Sequence, residues 1–171
     1  MSAGAVDRFR TGQYKHWGME HLGTKANLPD LLACFLPDQI RTIDKRLNER
    51  ESLARNYEEN LTNTLIKFPK TKSGALHSRH LFPIHVGSIN RDQVLNVFGE
   101  AKIGVTVNYN SVPSMIYYAT KYDFSKEDFL ISKWWGDGTL SLPLFPGLTQ
   151  LEQEYVLDIL INKIDKIIRE G

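Results

Sequence analysis

Ile40-Arg41-Thr42-Ile43-Asp44-Lys45-Arg46-Leu47-Asn48-Glu49-Arg50-Glu51-Ser52-Leu53-Ala54-Arg55-Asn56-Tyr57-Glu58-Glu59-Asn60-Leu61 carries the most regular pattern in the sequence. Ile40, Ile43, Leu47, Ala54, Tyr57 and Leu61 recur at alternating steps of three and four, with Arg50 filling the one polar step. That is the helical period, and the stripe it draws has to be buried against something. The spacing predicts a long amphipathic helix over 37–66, with Asp44, Lys45, Glu49, Glu51, Arg55 and Glu58 on a solvated opposite face.

Upstream, Leu28-Pro29-Asp30 opens a helix, because Pro suits the first helical position and an acid favours the positive end of the dipole. Its apolar run, Leu31 to Leu36, ends at Pro37. Residues 1–29 are rich in Gly, His and aromatics without a sustained period, and read as loop with one short helix near Tyr14 to His21. Downstream, Lys67 to Gly74 combine turn formers and charge. Leu81 to Val86 then read as a strand, with Pro83 marking an edge or bulge. Asn90-Arg91-Asp92 opens a short helix through Val94, Leu95, Val97 and Phe98. The β-branched run Ile103 to Val107 and the short Leu140-Ser141-Leu142 supply further strands. Thr149 and Glu152 have capping-box spacing ahead of a last helix whose face is Val156, Leu160, Ile164 and Ile167. Strands interleaved with helices after one long leading helix make an α+β layer, with helices covering a sheet face.

The 171 residues suffice for one globular core or part of a larger one. Lys and Arg total 21 against 20 Asp and Glu, mixed along the chain, so no net field draws in nucleic acid or an anionic membrane. Neither a signal peptide nor a spanning segment is legible, which places the protein in the cytoplasm. The single Cys34, inside an apolar run, reads as a buried small hydrophobe and argues against a disulfide framework. His77 and His80, three apart on a presumed strand, fall on opposite faces, and no further ligands complete a zinc set, so no metal site is expected. A structural hydrogen bond is the expected role of His80.

Five stretches carry a resemblance. These are Leu22 to Leu31 with the helix that follows, Arg50 to Leu61, His77-Ser78-Arg79-His80-Leu81-Phe82-Pro83-Ile84, Ile103 to Tyr109, and Leu140-Ser141-Leu142-Pro143-Leu144-Phe145-Pro146-Gly147-Leu148-Thr149. In this order, over nearly the whole chain from Asp7 to Ile167, they resemble segments of the DegT/DnrJ/StrS sugar aminotransferases. The resemblance implies the small C-terminal domain of a fold-type I enzyme dependent on pyridoxal 5'-phosphate (PLP), with a short, three- to four-stranded, largely antiparallel sheet. Residues 1–36 would border the active site and a large N-terminal domain, and 37–171 would form the small domain. The implied reaction moves an amino group, typically from glutamate, to a ketone on a nucleotide-linked sugar, within a homodimer.

The imine lysine, the carboxylate against the pyridine nitrogen and the stacked aromatic come from the large domain in this family, so no catalytic residue is expected in this chain. Lys25, Lys67, Lys70 and Lys72 do not follow the small-residue strand pattern expected ahead of an imine lysine, and read as surface charge. By the motif match, Asn27 is the Asn that reaches the partner subunit's PLP phosphate, while the residues alone favour an N-cap, and with the resemblance the two readings stand level. Lys25 either pairs with a substrate diphosphate or is solvated. The family's two histidines in the segment after the strand are replaced here by Asn108 and Pro113, leaving Asn108, Tyr109 and Asn110 as candidate hydrogen-bonding groups for a hydroxylated ligand. Trp134-Trp135-Gly136-Asp137-Gly138 reads as an exposed tryptophan pair followed by a flexible turn, either stacking on a sugar or base or forming a seam against another subunit. Two other readings follow from the same residues: a non-catalytic dimerisation or ligand-binding module, and one half of a split aminotransferase.

Overall fold

A computed structural model describes residues 24, 26–87, 89–125 and 127–170. The expected helix near Tyr14 to His21 lies outside the described residues, as does Lys25. The chain divides into two units, 1–41 and 42–171.

In the first unit the described residues form α1 (Asp30–Ala33), preceded by residues without regular secondary structure, and the start of α2 (Leu36–Leu61). α1 is one turn long, and Pro37 sits within the first turn of α2, where its missing N–H is no loss. Cys34 is exposed, not buried, and its thiol donates to the Leu31 carbonyl at 3.0 Å. The apolar run around it is open too, with Leu31 and Phe35 both exposed.

In the second unit α2 ends at Leu61, five residues short of the predicted boundary. The Thr62 hydroxyl donates to the Glu58 carbonyl, and the Thr64 hydroxyl and backbone N–H both donate to the Leu61 carbonyl, satisfying end groups the helix cannot pair itself. The predicted stripe divides in two. Ala54, Tyr57 and Leu61 are fully buried, whereas Ile40 and Ile43 remain 67% and 56% exposed. At about 25 cal/mol per Å² of apolar surface, an uncovered stripe of this kind forgoes several kcal/mol of burial.

β1 (Phe82–His85) and β2 (Thr139–Leu142) pair antiparallel, with Phe82 opposite Leu142 and His85 opposite Thr139. Single bridges extend the ladder on both sides, Lys67 to His85 and Thr106 to Ser141. Four segments therefore lie side by side in the order Lys67, β1, β2, Thr106. The strand expected over 103–107 is reduced to its one bridge at Thr106. Because side chains alternate along a strand, Phe82, Ile84, Leu140 and Leu142 share one face. They form the core with Tyr57, Leu61, Val94, Phe98, Val156, Leu160 and Ile164. The Tyr57 ring packs 5.0 Å from Phe82, and its hydroxyl donates to the Pro143 carbonyl.

α3 (Arg91–Glu100) is capped by Asn90, whose side chain accepts from the Asp92 N–H. A 3-10 turn (Val112–Ser114), α4 (Ile116–Tyr122) and α5 (Leu130–Gly138) lead back to β2. α6 (Gln150–Asp158) begins with the predicted capping box, since the Thr149 hydroxyl accepts from the Glu152 N–H and the Glu152 carboxylate accepts from the Thr149 N–H. The helix continues as a π-helix over Ile159–Asp165 and ends in α7 (Lys166–Glu170). Asp165, buried in the π segment, accepts from the Leu65 N–H and from Arg169, both at 2.6 Å. Among the described residues, no helix is long and apolar enough to cross a membrane.

Candidate functional site

Asn27 lies in the irregular stretch before α1 and is exposed. The N-cap of α1 is Pro29, with no side-chain cap bond, so the alternative reading of Asn27 as a helix cap does not hold. Among the described residues nothing engages its amide, two residues ahead of the cap.

Asn108, Tyr109 and Asn110 come together on the segment that leaves the Thr106 bridge. The Thr106 hydroxyl donates to Asn108 Oδ1 at 2.5 Å, which fixes the amide and leaves its NH2 as the available donor. Tyr109 is 67% exposed, and Asn110 is exposed beside it. Beyond this apex the chain is pinned: Ser111 is buried, its hydroxyl shares a 2.9 Å bond with Ser132, and its backbone lies where a Cβ on Gly136 would fall. An anchored base with an open polar tip suits recognition of a hydroxylated ligand.

Trp134 to Gly138 do not form a flexible turn, because all five residues are helical in α5, and of the tryptophan pair Trp134 is exposed while Trp135 is half-buried. Trp134, 39% exposed, lies flat on the His85 ring with centroids 3.6 Å apart, and Trp135 meets the same ring edge-on. The Lys67 ammonium sits 5.1 Å from the centre of the Trp134 ring. Gly138 is glycine because a Cβ there would enter the His85 ring.

His85 is fully buried, and read from the sequence it was no more than a strand residue. The Gly87 N–H donates to Nδ1 at 3.0 Å, so Nδ1 carries no proton; Nε2 carries it and donates to the Trp134 carbonyl at 2.8 Å. Burial pushes the pKa of His85 below the ordinary value, opposed by the Trp134 carbonyl, with Lys67 adding to the fall and Asp137 resisting it. The folded state therefore holds neutral His85 more strongly than the unfolded chain does. Stability from this group is present above the unfolded pKa of about 6.5 and is lost as pH falls through the lower folded value. Urea midpoints should drop below pH 6.5, and His85→Gln should flatten that part of the profile. A slope unchanged in the variant would remove His85 as its source.

The predicted solvated face of α2 needs a second correction. Arg79, 5% exposed, donates through Nε to Glu51 at 2.6 Å and through Nη1 to Glu58 at 2.8 Å. Glu51 and Glu58 lie two turns apart on α2, so one guanidinium spans both. Neighbouring His80, expected to make the structural hydrogen bond, is exposed, whereas His77 Nδ1 accepts from the Arg79 N–H. Both histidines precede β1 instead of lying on it. Among the described residues, no three of His, Cys, Asp and Glu converge as a metal site. Every described lysine is exposed except Lys133, which is half-buried and ion-paired to Asp137.

This architecture is that of the small domain of fold-type I sugar aminotransferases. It superposes on Spr1654 of Streptococcus pneumoniae, assigned as a sugar aminotransferase, with TM-score 0.77 at 18% identity, covering 91% of this chain and 39% of that one. DesV of S. venezuelae matches with TM-score 0.76 at 22% identity, covering 92% of this chain and 42% of that one. The chain belongs to the DegT/DnrJ/EryC1/StrS aminotransferase family, whose model matches residues 2–161. Among curated proteins, an uncharacterized protein of Methanocaldococcus jannaschii is 26% identical over all of this chain and 45% of its own length. The spore coat polysaccharide biosynthesis protein SpsC of Bacillus subtilis is 24% identical over 92% of this chain and 42% of its own length. The chain thus spans less than half the length of the relatives it matches.

Proposed function

We propose that this chain is the C-terminal portion of a PLP-dependent aminotransferase that passes an amino group from glutamate to a keto sugar nucleotide, in the making of surface polysaccharide or amino sugars. The match to the family over residues 2–161 carries this reading. The name of the SpsC relative supports the polysaccharide setting. In this reading residues 1–36 border a large N-terminal domain and 37–171 are the small domain of a cytoplasmic homodimer. The exposed apolar side chains of Leu31, Phe35, Ile40 and Ile43 are consistent with such a neighbour.

Bound PLP would supply the electron sink and the carrier for the amino group. The part of this chain is to bind and position. Asn27 would hold the phosphate of the partner subunit's cofactor, and its exposed position fits that task. Asn108, Tyr109 and Asn110 would hydrogen-bond the sugar hydroxyls, and Lys25 would meet the diphosphate as a point charge. The imine lysine belongs to the large domain.

Two measurements test this division. The chain alone, titrated with PLP and reduced with borohydride, should give no stoichiometric adduct by peptide mass; one adduct on a single lysine would place the cofactor site here and overturn the reading. In the assembled enzyme, Asn27→Ala should weaken PLP about tenfold, the scale of one charge-assisted hydrogen bond. An unchanged cofactor affinity would take Asn27 out of the site.

A further inference from the structure

No acidic residue occurs between Glu59 and Asp92, yet that stretch holds Lys67, Lys70, Lys72, Arg79 and Arg91. The even mixing of charge read from the whole chain does not apply here. Arg79 is held by its two glutamates, Arg91 donates through Nη1 to the Gly136 carbonyl at 2.6 Å, and the Lys67 ammonium lies over the Trp134 ring. Lys67, Lys70 and Lys72 have no carboxylate partner among the described residues.

Lys67 and Lys70 stand on a groove of about 520 Å³ beside the C-terminal end of α2. Buried Leu61 and Ile66 make its floor, and half-buried Phe68 and Trp135 contribute aromatic surface. The volume lies within the range of small-molecule sites, roughly 300–1,000 Å³. The negative end of the α2 dipole would oppose an anion here, but the Glu58 and Leu61 carbonyls are already occupied by Thr62 and Thr64.

We propose that this groove binds a nucleoside phosphate, the base on Phe68 and Trp135 and the phosphate on Lys67 and Lys70. A neutral apolar ligand leaves the lysines uncompensated, and an aliphatic anion leaves the aromatic faces unused. A nucleic-acid strand needs a longer basic track than this, on a protein whose net charge is +1. A flat ring bearing phosphate satisfies both halves of the groove. The inference is independent of the aminotransferase reading, since it uses none of Lys25, Asn27, Asn108, Tyr109 or Asn110.

The test is titration of the chain with adenosine 5'-monophosphate, adenosine, inorganic phosphate and anionic lipid vesicles, followed by amide and indole NMR shifts. The monophosphate should shift the Trp135 indole and the amides of 66–70 saturably, about tenfold more tightly than adenosine or phosphate alone. Lys67→Gln with Lys70→Gln, both exposed positions, should weaken it by about tenfold or more while the remaining spectrum is preserved. Shifts confined to other residues, equal affinity for inorganic phosphate, an unaffected double variant, or binding to vesicles alone would each overturn the proposal.

Discussion

Arg79→Met will lower the folding stability of this chain by about 3 kcal/mol, read as a fall in the urea midpoint at unchanged slope. The methionine keeps most of the buried apolar stem but removes the one cation holding two carboxylates together. Breaking a buried ion pair from one side costs about 3–5 kcal/mol. The lower end applies because the Glu51 and Glu58 side chains are 28% and 27% exposed, so water takes over part of the lost interaction. Backbone strain does not confuse the comparison: residue 79 has φ +48° and is non-glycine in both proteins. An acid limb provides a second readout. The Arg79 hydrogen bond, opposed by burial and helped by Arg55, brings the Glu51 carboxyl down to about 2. Its folded pKa lies below the unfolded one, so its contribution is full above the ordinary carboxylate range and is lost as pH falls towards 2. In Arg79→Met the loss of stability between about pH 4.5 and 2 should become shallower. A variant with the wild-type midpoint would mean that the cluster contributes no net stability.

Gly138→Ala will destabilise by about 3 kcal/mol, the upper end of the usual cost of overpacking a core, although it adds a single methyl group. The new Cβ would fall on the His85 ring. That ring has nowhere to go: it is tied through both nitrogens to Gly87 and Trp134, stacked on one tryptophan and edged by another. Relief therefore requires separating β1 from α5. Adding His85→Ala to the glycine variant should recover part of the loss, because the methyl then enters the space of the missing ring. Thermal unfolding of the two single variants and the double variant measures the coupling. Additive losses would show that Gly138 is crowded by something other than His85.

The elements whose signals are local were legible. The cap at Thr149 and Glu152, the α2 stripe, the Asn90 helix start and the two strands near 82–85 and 139–142 each rest on residues close in sequence, whereas the antiparallel sheet was implied only by the family resemblance. The family was legible as well, through motifs whose spacing survives at 18–26% identity to the relatives. The contacts that organise the small domain were not. Glu51 and Glu58 look solvated until Arg79 returns to them across 28 and 21 residues. Gly136 and Gly138 look like a turn until Ser111 and His85 are seen to occupy the space a Cβ would need. Cys34 looks buried because its neighbours are apolar, but burial needs a second surface, and in this chain Cys34 is exposed.

By itself, then, the sequence determined the long helix, the helix starts at Asn90 and Thr149, the strands at 82–85 and 139–142 and the family, since helical period, capping and turn chemistry act over a few residues, whereas α4 and α5 carried no signal that was read. Only the tertiary structure decided which charges are buried, which imidazole is held neutral and which glycines cannot be replaced. Those depend on where distant segments meet, and desolvation and steric overlap act only once they have met.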